Sequence, residues 1–259
     1  MSAIRHFVSL NRTASAWIAM RFPRIFSNPK PSYRETLLDR VNRDISIKKP
    51  GTVLEAGGVD RPVLDRSPDY EFVGLDIDER PDCARLYDRF LVQSIEIPLP
   101  VKADVIISFT LLEHVPNNTA SIRAMYEGLN AGGSTHHYIP CGLHPYSLAL
   151  RAIGPRLQRR LIPILRPGTE GITGYPAFFD LCTPRAMTQA FRAAGFTEID
   201  VKPFYRANDY FAFFTPAFIS VTLFENVCRL LGLSTLASGI VISARKPSSV
   251  RTAHDEKSA

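Results

Sequence analysis

A chain of 259 residues has room for one domain with elaborations, and 45% hydrophobic and 22% charged residues are the proportions of an ordinary globular protein with a sizeable core. Its four cysteines, Cys83, Cys141, Cys182 and Cys228, form no C-x-x-C pair, which sets aside a zinc site and a disulfide framework and points to a reducing, cytoplasmic setting. The net charge of +6 is unevenly placed: residues 1–34 carry Arg5, Arg12, Arg21, Arg24, Lys30 and Arg34, and residues 141–169 carry Arg151, Arg156, Arg159, Arg160 and Arg166, with no Asp or Glu in either block.

Interspersed Phe, Leu, Ile and Trp give these blocks an apolar side. They suit an anionic membrane surface or a phosphorylated substrate, or else they are solvated basic faces. No recognition motif for nucleic acid accompanies the charge, so nucleic acid is not an expected partner. The apolar residues of the N-terminus are interrupted by Asn11, Arg12 and Thr13, which does not make a removable signal peptide.

In chain order, residues 1–45 read as a basic helical arm, with a helix around Ser15 to Phe22, the proline-marked link "FSNPKPSY" and a helix over 33–45. Strand signals follow at "TVLEA" (52–56), "YEFVGLDID" (70–78), "RFLVQ" (89–93), "ADVIISFT" (103–110) and "STHHYIP" (134–140). Helices are expected near 79–86 and over 117–129, where Asn117 or Asn118 can cap. Residues 141–179 are an irregular insertion rich in Pro, Gly and Arg. Thr183 then caps a helix that has Pro184 at its first position and stops at Gly195. "TEIDVKPF" and "SGIVISARKP" close the series as strands, with an aromatic helical segment at 204–233 between them. That segment is broken by Pro216, Glu225, Asn226 and Arg229, which suits a buried or interface-lying helix rather than a span of the roughly 20 apolar residues a bilayer needs. The alternation predicts an α/β fold, a mostly parallel sheet over 46–246 with helices on both faces, and a disordered tail at 247–259.

The stretch "GTVLEAGGVDRP" (51–62) runs a buried strand into Gly57-Gly58, where the backbone can make contacts that a Cβ would block. The dinucleotide fingerprint G-x-G-x-x-G would need further glycines where Val59, Asp60 and Arg61 stand, so a nicotinamide-binding loop is disfavoured.

Taken together and in this order, "VLEAGG", "FVGLDID", "ADVIISFTLLEHVPN" and "GLNAGG" resemble the class I S-adenosylmethionine-dependent methyltransferases over residues 51–246. The resemblance implies a Rossmann-like, doubly wound, seven-stranded sheet and S-adenosyl-L-methionine as cofactor. It implies that Glu55, Gly57, Gly58, Asp76, Ile77, Ser94, Ile95 and Phe109 surround that cofactor, with Asp76 on the ribose hydroxyls and Thr110 and Leu111 at the methyl-donor edge. Three positions depart from the family: Val59 and Arg61 replace glycines, and Ser94 stands where many members carry an Asp.

His114, beside Glu113, is the histidine placed to act as a general base, the alternative being a cap or a packing residue. His136, His137 and His144 fit no metal spacing, and no metal is expected. The expected acceptor is a small or lipid-linked molecule. The insertion 141–179 and the segment 204–233 build its side of the site: Arg156, Arg159 and Arg160 hold an anionic head group, and Tyr175, Phe178 and Phe179 line an apolar slot. A nicotinamide-dependent oxidoreductase and a cofactor-degenerate, membrane-associated scaffold are the alternatives. Oligomeric state is not legible.

Overall fold

The computed structural model describes residues 2–167 and 175–248. The "GITG" stretch of the insertion and residues 249–259 of the expected tail lie outside the described residues. Among the described residues the chain begins with α1 (Ser2–Arg21), α2 (Pro23–Phe26) and α3 (Tyr33–Lys48). It continues through β1 (Thr52–Ala56), β2 (Glu71–Asp76), α4 (Cys83–Leu86), β3 (Arg89–Val92), β4 (Ala103–Phe109), α5 (Asn118–Gly128) and β5 (Leu129–Pro140). The last part runs α6 (Pro145–Ile153), α7 (Pro155–Leu165), α8 (Pro184–Ala193), β6 (Thr197–Phe204), α9 (Thr215–Leu230) and β7 (Gly239–Arg245).

The seven strands form one sheet in the order β3-β2-β1-β4-β5-β7-β6. β1 pairs in parallel with β2 and β4, β2 with β3 and β4 with β5, while β7 runs antiparallel to both β5 and β6. The chain winds outward from β1 to β3, returns to β4 and winds the other way. A crevice therefore opens beyond the carboxyl ends of β1 and β4, where the strand order reverses.

Strand alternation sorts the core into two layers. Val53, Phe72, Val105 and Ile107 face Leu37 and Val41 of α3 on one side. Leu54, Leu75 and Ile106 face Ile122 and Met125 of α5 and Met187 and Phe191 of α8 on the other. α3 starts at a capping box, in which the Ser32 side chain accepts from Glu35 N and Glu35 reaches back to Ser32 N. It is thus part of the sheet's cover rather than of a detached arm.

The arm proper, α1 and α2, docks on α9 through Thr215 N to Asn11 Oδ1 (2.9 Å), Ser15 Oγ to the Ala212 carbonyl (3.3 Å) and the stacked rings of Phe26 and Phe218. Two expectations need correction. α1 runs from Ser2 to Arg21, with docked residues from Val8 to Ser15, and so begins well before the expected start at Ser15. β5 begins at Leu129, so the "LNAGG" stretch is absorbed into the strand across an irregularity opposite Ala103 and Val105. The first crossover, residues 57–70, carries no helix. No described helix is long and apolar enough to cross a membrane.

Candidate active site

A cavity of about 540 Å³ lies at the carboxyl ends of the strands. The eight residues expected around the cofactor line it together with His114: Glu55, Gly57 and Gly58 after β1, Asp76 and Ile77 after β2, Ser94 and Ile95 after β3, and Phe109 and His114 after β4. Thr110 and Leu111 line it as well.

Glu55 forms the floor. It is fully buried, and both of its carboxylate oxygens accept the amide of Val63, at 2.8 and 3.0 Å. Burial pushes its pKa up to about 8 against the opposing effect of the Val63 and Leu64 amides. In a crossover without a helix, this carboxyl group is what pins the loop. Gly58 follows from the same packing, since a Cβ there would lie 2.3 Å from the Tyr87 hydroxyl and 2.5 Å from Glu55 Oε1. Gly57 sits at φ +83°, donating its amide to the Leu75 carbonyl.

Two β-branched residues on the rim adopt the left-handed backbone that glycine favours: Val59 at φ +46° and Thr110 at φ +54°. For such side chains this is a strained conformation. Val59 therefore holds a backbone conformation that a glycine would adopt without strain.

Asp76 lines the cavity with Oδ1 accepting the Asp78 amide at 3.0 Å, and burial raises its pKa. The Ser94 hydroxyl donates to Glu96 Oε2 at 3.0 Å, and Glu96 Oε1 accepts the Asn117 amide at 3.0 Å. A carboxylate thus lines the cavity two residues beyond Ser94. Sequence reading missed Glu96, and the acid in "SIEIP" was its signal.

His114 has Nδ1 2.7 Å from the Pro176 carbonyl, which fixes the proton on Nδ1, and burial lowers its pKa. At neutral pH the ring is uncharged with its lone pair on Nε2. Glu113, beside it, is buried with Oε2 lacking a partner among the described residues, and burial pushes its pKa up to about 8. Arg80 closes one side: Nη1 meets Asp60 at 2.6 Å and Nη2 meets the Tyr175 hydroxyl at 3.0 Å, joining the first loop to the end of the insertion.

Of the residues expected on the acceptor side, Tyr175 reaches the cavity. Phe178 is exposed, and Phe179 packs on the core beneath the Arg151 guanidinium. Arg156, Arg159 and Arg160 do not line the cavity. They are exposed on α7, which packs against α1 and α6. His136 bonds Asp44 of α3 and Ser243 of β7, and His137 bonds Ser108 and Thr135, so the first ties α3 to the sheet and the second is spent within the sheet. Among the described residues no His, Cys, Asp and Glu group could hold a metal.

No family model matches the sequence, and no curated protein matches it. Solved structures do. Phosphoethanolamine N-methyltransferase 2 of Haemonchus contortus in complex with S-adenosyl-L-methionine superposes over 91% of this chain and 57% of that one, at 12% identity and a TM-score of 0.51. The chain has the Rossmann-like methyltransferase fold. It spans little more than half the length of that enzyme. The same enzyme with phosphomonomethylethanolamine and S-adenosylhomocysteine covers 94% of this chain and 60% of its own, at 13% identity and a TM-score of 0.50. The cyclase SpnF covers 87% and 86% at 16% identity and a TM-score of 0.50, so the fold alone leaves the chemistry open.

Proposed function

We propose that the protein is an S-adenosylmethionine-dependent methyltransferase acting on a small or lipid-linked acceptor of anionic character, such as a glycan precursor on a polyprenyl phosphate. One observation carries this reading: the residues that the strand ends bring together form a single cavity with a carboxylate, Asp76, at the end of β2. Asp76 would accept the two ribose hydroxyls, with Ile77, Ile95 and Leu111 along the adenine and Glu96 or Ser94 at its amine. The donor set fits a nucleoside without phosphates. The crossover 57–70 supplies no helix N-terminus for a pyrophosphate, which counts against the nicotinamide alternative.

The bound cofactor would supply an electrophilic methyl group on a sulfonium. Phe109, Thr110 and His114 stand at the β4 edge, where the acceptor must approach. Methyl transfer is an in-line displacement, so holding the acceptor in line and excluding water accounts for most of the acceleration. His114 would take the proton of the acceptor's hydroxyl or amine on Nε2 while the Pro176 carbonyl holds the ring.

The membrane part of the reading rests on Ile4, Phe7, Leu10, Trp17 and Met20. These are exposed on α1 within the block that contains no acid. Calorimetric titration with S-adenosylhomocysteine and with NAD tests the proposal. The sulfur nucleoside should bind and NAD should not; binding of NAD alone would favour the oxidoreductase, and binding of neither the scaffold.

A further inference from the structure

The Phe109 edge of the cavity continues into a cluster of aromatic rings and arginines. Phe109 packs against Tyr33 (centroids 5.9 Å apart) and Tyr138 (5.1 Å), and Tyr33 and Tyr138 stack at 4.1 Å. The Arg206 guanidinium lies over the Tyr33 ring at 5.8 Å. Tyr146 of α6 stacks on Tyr210 at 4.1 Å, and Arg166 covers Tyr210 at 4.4 Å while meeting Asp209 at 3.3 Å. The halves are neighbours: the Tyr33 hydroxyl, its pKa raised chiefly by burial, is also influenced by Tyr210, Arg206 and Arg166.

Arg206 is the anomaly in this cluster. Its Nε and Nη1 are buried and have no hydrogen-bond partner among the described residues. Leaving two donors of a permanent cation buried and unpaired is costly, and such groups are ordinarily paired. Among the described residues, Asp209 is already shared between Arg166 and Arg12, the latter at 3.6 Å, and Glu113, which also acts on Tyr138 and Tyr146, has its pKa pushed up to about 8 by burial. A guanidinium fork such as that of Arg206 fits phosphate or carboxylate oxygens.

We propose that Arg206, with Tyr33 and the Arg166–Tyr210 pair beside it, binds an anionic oxygen group of the acceptor, a phosphoryl or a carboxylate, one aromatic layer away from the methyl-donor cavity. Naming the ligand as the acceptor rests on the methyltransferase reading; the anion site itself does not. The site draws on the first residue of α3, on α6, on Arg166 just after α7 and on the segment after β6, so the two unusual segments meet at the anion rather than at the arginines of α7.

The test is titration of the full chain with inorganic phosphate and, separately, with acetate, at physiological salt, with and without S-adenosylhomocysteine. One anion should bind saturably, and Arg206→Gln should weaken it at least about tenfold, the scale of a lost charged hydrogen bond, with S-adenosylhomocysteine affinity unchanged. Preference for phosphate would identify a phosphoryl ligand and preference for acetate a carboxylate. Arg206→Lys keeps the charge and most of the stem but lacks the fork; it should also bind the anion several-fold more weakly, which guards against a folding defect in the first variant. Arg159→Gln, on exposed α7, should bind like the wild type. Absence of binding by both anions, or equal binding by wild type and both Arg206 variants, overturns the proposal. Anion binding that depends on Arg206 without any binding of the sulfur nucleoside would keep the site and overturn the methyltransferase reading instead.

Discussion

Glu55 and Val63 are joined through both carboxylate oxygens, eight residues apart across the turn that follows β1. Because burial raises the folded-state pKa of Glu55 from 4.5 to about 8, the folded protein holds this proton more tightly than the unfolded chain does. Glu113 behaves in the same way. Their contribution is fully present below about pH 4.5 and is lost as the pH rises through 8. Glu113→Gln, which keeps the shape without the titration, should flatten that fall by about 1–3 kcal/mol between pH 5 and 9. Urea unfolding across this range checks it, and a parallel loss in the variant would show that Glu113 does not carry the effect.

Thr110 is exposed and strained, which makes the strain measurable with little interference from packing. Thr110→Asn, a side chain that tolerates left-handed backbone, should raise the unfolding free energy by about 0.5–1 kcal/mol. At Val59 the same relief competes with lost packing, because Val59 lies against the core. Val59→Gly should therefore be close to neutral. An unchanged or lower stability of Thr110→Asn would mean that the rim is unstrained.

For His114 the expected signature is kinetic. A neutral base with a pKa lowered by burial gives a rate that rises with pH and levels off at or below about 6.5, the ordinary histidine value. His114→Asn should lose turnover by about 10²–10⁴-fold with cofactor affinity intact. A pH-independent rate that survives the substitution would assign His114 to holding Pro176 and no more.

Trp17, the sole tryptophan of the chain, is 59% exposed on α1 and reports on membrane contact by itself. Anionic vesicles should shift its emission to the blue, and salt should reverse the shift, since surface attraction is screened over about 8 Å at physiological ionic strength. No shift with anionic lipid would make the acid-free block a solvated face.

Much of this architecture is legible in the residues because local chemistry dictates it. "TEIDVKPF" forms β6 over the expected bounds, and Thr183 caps α8 by accepting the Ala186 amide. Asn117 caps α5 in the same way. The cavity lining is legible too, since its residues follow consecutive strand ends. Other features are not legible, because they depend on contacts between segments distant in sequence. The Tyr33–Tyr138 stack joins residues on opposite sides of the first four strands. The unpaired nitrogens of Arg206 can be recognised only once its neighbours are known. The basic run "PRLQRR" draws attention as a pattern, yet α7 turns its arginines to solvent, as an amphipathic helix docked by its apolar side must.

The central claim is that Asp76 holds the ribose of an adenosyl sulfur compound. The most direct test is the affinity of S-adenosylhomocysteine for the wild type and for Asp76→Ala, measured side by side by calorimetry. The account predicts saturable binding to the wild type and a loss of about 1–3 kcal/mol in the variant, the scale of hydrogen bonds to a charged group. Equal affinity in the two proteins, or no binding to the wild type, would contradict it.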